Sequence, residues 1–61
     1  MTYDFPEFIG GALDGLTALG LIEPNYYHES LKTGLYHHYM RMSNGDYFYR
    51  GFVRYNEITG I

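Results

Sequence analysis

The chain has no cysteine, no tryptophan, only two prolines and only four basic residues in 61 positions. Without cysteine, disulfide frameworks and thiolate metal sites are excluded. No apolar stretch reaches the length of a membrane-spanning helix, because Asp14 interrupts the most hydrophobic segment. The first residues lack the basic region of a secretory signal peptide. We therefore expect a cytoplasmic protein that makes no membrane contact.

The short length sets a second limit, since 61 residues form one domain at most and such a chain is marginally stable alone. Eight tyrosines and four phenylalanines make it rich in aromatic side chains, and a lone monomer of this size cannot bury nearly all of its apolar surface. Small domains compensate with disulfides, metals or association. Association is the remaining route here, so we expect a homo-oligomer.

Residues 5–19 have the pattern of an amphipathic helix. Asp4 and Glu7 are spaced as a capping box, and Tyr3 and Phe8 occupy the two positions of a hydrophobic staple. Apolar residues then recur at intervals of three and four. They are Phe5, Ile9, Ala12, Leu13, Leu16 and Leu19.

Two features of the N-terminal half allow more than one interpretation. Gly10, Gly11 and Gly15 lie inside it, where each costs about 1 kcal/mol relative to alanine. They are either tolerated, or they leave room for tyrosine rings of the sheet or for a second helix. Residues 24–33 predict a short second helix beginning at Pro24, or an ordered loop.

Residues 35–56 predict a β-hairpin around the Asn44-Gly45 turn, because this dipeptide adopts positive φ readily and lies between two alternating aromatic runs. Uninterrupted pairing places Tyr39 opposite Arg50 and Arg41 opposite Phe48. One face would then carry Tyr36, His38, Met40, Met42, Tyr47, Tyr49, Val53 and Tyr55. The other face would carry Leu35, His37, Tyr39, Arg41, Phe48, Arg50, Phe52 and Arg54. The predicted fold is α+β, a single domain over residues 1–61 with the N-terminal helix packed on the hairpin.

Metal binding and catalysis find little support in the sequence. His37 and His38 are neighbours in a predicted strand, so their side chains leave on opposite faces and cannot hold one ion. No nucleophile lies in a recognisable turn, and no glycine-rich phosphate loop follows a strand. We therefore expect neither an enzyme nor a bound metal or cofactor.

The face that combines arginine and aromatic rings is the best candidate for binding, because these residue types are enriched at interface hot spots. The candidate residues are Tyr39, Arg41, Phe48, Arg50, Phe52 and Arg54. A secondary acidic patch that mimics nucleic-acid phosphates would consist of Asp14, Glu23 and Glu29.

Charge is divided unevenly, since residues 1–34 carry five carboxylates and one lysine, whereas residues 35–61 carry three arginines and two carboxylates. Small, acidic, cysteine-free and aromatic-rich chains are typical of phage and mobile-element inhibitors of host machinery, including anti-CRISPR-like proteins. We therefore expect a non-catalytic module that binds and blocks or adapts a larger protein, with nucleic-acid-handling complexes among the candidate partners and the host cytoplasm as its location.

Two alternatives remain open. The same face is also suited to a small nucleic-acid-binding module, because rings can stack on bases and arginines can contact phosphates. The negative net charge makes direct nucleic-acid binding the weaker hypothesis. The second alternative is a structural subunit of a larger assembly.

Overall fold

The computed structural model describes residues 5–32 and 34–60, and it is built mainly of strands. Its elements are β1 (Phe8–Ile9), a short 3₁₀ turn (Gly11–Leu13), β2 (Asn25–Glu29), β3 (Leu35–Arg41), β4 (Tyr47–Arg54) and α1 (Tyr55–Thr59). The strands form one curled, mixed sheet in the order β1-β4-β3-β2. β1 runs parallel to β4, and the other neighbours are antiparallel. The predicted α+β fold, a helix packed on a two-stranded hairpin, is therefore wrong.

The N-terminal helix predicted over residues 5–19 is replaced by two-residue β1 and a series of turns. Gly10, Gly11 and Gly15 all have positive φ, a conformation that a right-handed helix does not contain. The Glu7 backbone N–H, which a capping box would direct to Asp4, donates instead to the Asp46 carboxylate at 3.0 Å. Its proposed partner Asp4 and the staple residue Tyr3 lie outside the described residues.

The apolar residues of this segment do not share one stripe either. Phe8, Leu13 and Ala18 are buried, at intervals of five residues, whereas Leu16 and Leu19 are 56% and 62% exposed. Phe8 N–H donates to the Leu16 carbonyl at 2.8 Å, which folds the segment back on itself. The apolar residues of this segment are thus spaced at three and four, although the segment does not form the predicted helix.

The two remaining segments also differ from expectation. Residues 24–33, predicted as a short helix or loop, contain β2, an edge strand paired with β3. The hairpin predicted to residue 56 ends at Arg54, where α1 begins. At the N-terminus of α1, the Glu57 carboxylate accepts the Arg54 backbone N–H at 2.8 Å. At the C-terminus, Gly60 caps the helix in the left-handed conformation. β3 and β4 are the central strands of the sheet and not an isolated hairpin.

The pairing of β3 with β4 contains one irregularity. Leu35 to His38 pair with Arg54 to Gly51 in the expected register, but the register shifts between His38 and Tyr39. Arg50 is the extra residue on β4, next to Gly51 with φ +101°, and positive φ at glycine is typical of β-bulges. Tyr39 consequently pairs with Tyr49, and the predicted pairs Tyr39–Arg50 and Arg41–Phe48 are wrong.

The core lies between the N-terminal turns and one face of the sheet. The turns cover the half of that face that is nearest the β3–β4 turn. The buried members of the core are Phe8, Leu13, Ala18, Tyr39 and Tyr47. Phe8 packs edge-on against Tyr39 with ring centroids 4.9 Å apart. The described core is therefore small and largely aromatic.

The Tyr39 hydroxyl joins the turns to the sheet. It donates to the Gly10 carbonyl at 2.7 Å and accepts the Leu13 N–H at 2.9 Å. Burial raises the pKa of the Tyr39 hydroxyl, which keeps the donor proton in place. A Cβ built on Gly11 would lie 2.5 Å from Tyr49 Cδ1 and 2.7 Å from the Tyr39 hydroxyl oxygen. Gly11 is therefore required for the backbone to approach these rings.

Candidate binding face

The bulge determines which β4 residues lie on each face of the sheet, and the two faces differ in their side chains. On the packed face, Tyr39 and Tyr49 lie with ring centroids 5.1 Å apart, and His37 lies 4.7 Å from Phe52. A bond of 2.9 Å between His37 Nδ1 and the Tyr49 hydroxyl joins these pairs, so all four side chains share one face. Alternation along the strands places another set on the opposite face. We call it the open face, and its strand residues are Tyr27, Tyr36, His38, Met40, Phe48 and Val53. It also includes the bulged Arg50, whose guanidinium lies near His38, and Tyr55 of α1, whose ring lies beside that of Tyr36.

None of the open-face residues belongs to the buried core or to the described side chains packed against it. At one end, Met40 and Phe48 are paired across the strands and are 41% and 45% exposed. At the other end, Tyr55 is 57% exposed and its ring centroid lies 6.1 Å from that of Tyr36. At about 200 Å² per large side chain, these three residues contribute roughly 300 Å² of exposed surface, divided between the two ends of the face.

The centre of the open face is a stacked pair of rings. Tyr27 and His38 lie with centroids 4.9 Å apart and planes inclined by 13°. Burial, together with the nearby Arg50 guanidinium, lowers the pKa of His38. The imidazole is therefore neutral at pH 7, and its Nε2 bonds to the Asn25 side-chain oxygen at 2.8 Å. The result is an uncharged ring platform held in place from the side, with one cation beside it.

The six candidate residues from the sequence do not share one surface. Tyr39 is fully buried and not available for contact. Arg41 is exposed at the turn end of the packed face, opposite Tyr47. Phe52 and Arg54 lie at the uncovered end of that same face. The bulge places Phe48 and Arg50 together on the open face, so the six candidates are divided between the two faces of the sheet.

Sequence reasoning misses most of the open face as a site. Tyr27 falls in the segment predicted as helix or loop, and Tyr36, His38, Met40 and Tyr55 fall on the face predicted to pack on the helix. One signal is present in the sequence, since an isolated glycine within a strand pattern indicates a bulge. Gly51 is such a glycine. A bulge there moves the β4 residues between it and the β3–β4 turn to the faces opposite those that uninterrupted pairing predicts.

The predicted acidic patch is dispersed over three elements. Asp14 accepts the Gly10 N–H at 2.7 Å and closes the turn around the 3₁₀ segment. Glu23 precedes β2 and Glu29 is the last residue of β2, about 20 Å away at the rise of an extended strand. Asp14 thus has a structural role, and the three carboxylates do not form one surface.

Two further features have some properties of a site. An open groove of about 570 Å³ is lined by residues of the N-terminal segment and the β3–β4 turn, but its Asp46 carboxylate already accepts hydrogen bonds from Glu7 and Asn44. On the packed face, His28 and His37 stack with centroids 6.2 Å apart. Across residues 5–32 and 34–60, no group of three or more potential metal-ligating residues is found.

The chain matches no family model, no curated protein and no solved structure. Within the part of the chain that the structure describes, no helix is long and apolar enough to span a membrane. The arrangement of side chains is therefore the basis for any proposal about function.

Proposed function

We propose that this chain is a non-catalytic module that binds a larger protein through its open face and thereby blocks or adapts it. The supporting observation is the set of rings and methionine on that face, of which Met40, Phe48 and Tyr55 are exposed. Side chains that already stack on one another lose little conformational entropy on binding. Aromatic residues, methionine and arginine are also the types enriched in protein interfaces.

The chemistry of the face defines the partner. An apolar patch would accept Met40, Phe48 and Tyr55, and a carboxylate at its rim would pair with Arg50. A small acidic chain that covers such a partner surface would block access to it. This is the mode of action that we propose for a phage or mobile-element protein directed against host machinery.

A pair of matched double variants tests the proposal. Phe48→Ser/Arg50→Glu changes one ring and one cation on the open face. Phe52→Ser/Arg54→Glu makes the same two changes at the uncovered end of the packed face. Each tagged variant would be used to capture partners from host lysate, and circular dichroism would establish that both fold.

The proposal predicts that wild type and the packed-face variant recover the same partner, while the open-face variant recovers at least tenfold less. Equal recovery by both variants, or loss only with the packed-face variant, would contradict it. The matched design is informative because the net charge change is identical, so a general electrostatic effect would reduce both equally.

A nucleic-acid-binding module is the second candidate, and the Tyr27–His38 stack beside Arg50 is the observation that favours it. Aromatic platforms contribute about 1–3 kcal/mol per stacked base. Fluorescence anisotropy with a labelled single-stranded 12-mer would measure this at several salt concentrations. Binding that weakens steeply with salt and is lost in Phe48→Ser/Arg50→Glu supports this function, and no binding at low salt excludes it.

A further inference from the structure

The outer edge of β2 carries backbone N–H and C=O groups that point away from the sheet. The Arg41 N–H donates to the Pro24 carbonyl at 2.9 Å, and the Ser30 N–H donates to the Leu35 carbonyl at 3.0 Å. In an antiparallel ladder the hydrogen-bonding direction alternates with each residue. Even-numbered residues of β2 therefore point their backbone groups toward β3, and Asn25, Tyr27 and Glu29 point theirs away from the sheet.

This edge carries few of the features that prevent strand addition. Natural edges are blunted by internal proline, lysine or bulges. β2 contains none of these, and its pairing with β3 is regular over all five residues. Among the described elements, β2 is the outermost strand on its side of the sheet. Its free backbone groups are thus presented as a template for another strand.

We propose that a second copy of this chain pairs its β2 antiparallel with this edge, around a two-fold axis at Tyr27. Tyr27 then faces Tyr27 of the partner subunit, and Asn25 faces Glu29 of the partner subunit. This register engages all three outward-pointing residues of both copies and makes up to about six backbone hydrogen bonds. An axis at Tyr26 or His28 would leave one outward residue of each strand outside the pair.

Charge favours the same register. Glu29 is the only charged residue of β2, and an axis at Tyr27 places each Glu29 opposite an uncharged Asn25. The Asn25 oxygen already bonds to His38, and in this register its amide N–H groups would donate to the partner carboxylate. The strand is therefore complementary to itself without any opposed like charges.

This pairing would join the sheets of the two copies edge to edge. Because paired residues share a face, the two open faces would lie on the same side of one eight-stranded sheet.

Cysteine cross-linking tests the register, since the native chain has no cysteine. Directly opposed residues of a hydrogen-bonded pair have Cα atoms about 5.5 Å apart, within the usual disulfide range. Tyr27→Cys should form a disulfide dimer on mild oxidation. Glu29→Cys should not, because the two copies of residue 29 would lie about 13 Å apart along the strands.

Asn25→Cys/Glu29→Cys is a second variant that retains Tyr27, and it should form a dimer with two symmetric disulfides. Light scattering of wild type should give the dimer mass at micromolar concentration, and Tyr27→Pro should give the monomer because it removes an outward N–H. A monomeric wild type would overturn the proposal. Efficient cross-linking of Met40→Cys without that of the β2 variants would also overturn it, since it would place the contact on the open face.

Discussion

Replacing Gly11 by alanine separates the observed N-terminal turns from the helix that the sequence pattern predicts. In a helix interior, glycine to alanine stabilises by about 1 kcal/mol. In the structure, Gly11 has φ +67°, and a left-handed conformation costs a non-glycine residue roughly 1–2 kcal/mol. The two interpretations thus predict opposite signs for the change in the free energy of unfolding.

The size of the effect comes from the space around Gly11. An added Cβ would lie 2.5 Å from Tyr49 Cδ1 and 2.6 Å from Tyr49 Cγ. Overpacking of this kind costs about 1–3 kcal/mol. With the backbone strain included, Gly11→Ala should lower the free energy of unfolding by about 2–5 kcal/mol.

Gly15→Ala is the matched control. Gly15 has φ +85° and no atom within 4 Å of an added Cβ, so only the strain of roughly 1–2 kcal/mol applies. Urea unfolding followed by circular dichroism would measure both, with an osmolyte added if Gly11→Ala is largely unfolded. A Gly11→Ala protein as stable as wild type, or no less stable than Gly15→Ala, would refute the placement of Tyr49 against this turn.

Two further predictions concern stability. Tyr39→Phe removes a buried hydroxyl and leaves the Leu13 N–H and the Gly10 carbonyl unpaired, so it should cost about 1–3 kcal/mol in thermal or urea unfolding, while Tyr55→Phe on an exposed ring should change little. The lowered pKa of His38 means that the unfolded chain binds a proton more readily than the fold does. Stability should therefore fall as the pH decreases from the ordinary histidine value of 6.5, and His38→Gln should reduce that slope. A slope unchanged in His38→Gln would contradict the assignment.

The success of sequence reasoning differs along the chain. The alternating aromatic runs around Asn44-Gly45 do correspond to β3 and β4, because extended backbone turns successive side chains to opposite faces and so matches a period of two. β2 is missed, since NYYHE combines polar residues with only one inward-facing core ring, Tyr26. Its strand conformation depends on pairing with β3, which local sequence does not encode.

The helix prediction fails for a different reason. Apolar spacing and the Asp4–Glu7 pattern are local signals, whereas the conformation of residues 10–20 is decided by contacts with distant rings. Gly11 allows the turn to approach Tyr39 and Tyr49, which are far away in sequence. The accumulation of glycines is the warning, because a helix with three internal glycines is already costly by about 3 kcal/mol.

The residues that share the candidate site depend on a one-residue shift in the pairing of β3 with β4. Uninterrupted pairing places Arg41 and Phe48 on one face, and the bulge at Arg50 and Gly51 places them on opposite faces. A bulge is difficult to foresee because one inserted residue is compatible with strand-like sequence on both sides. The types of residue in the site are therefore predictable, but their division between two faces is not.

The register of β3 and β4 is the basis of the open face, and nuclear Overhauser effects measure it directly. In the structure Tyr39 and Tyr49 form a pair without mutual hydrogen bonds, in which opposed Cα atoms approach to about 4.5 Å. We expect strong Hα–Hα contacts between Tyr39 and Tyr49 and between Arg41 and Tyr47. Contacts from Tyr39 to Arg50 and from Arg41 to Phe48 would instead show an uninterrupted ladder and would contradict the division of the sheet into its two faces.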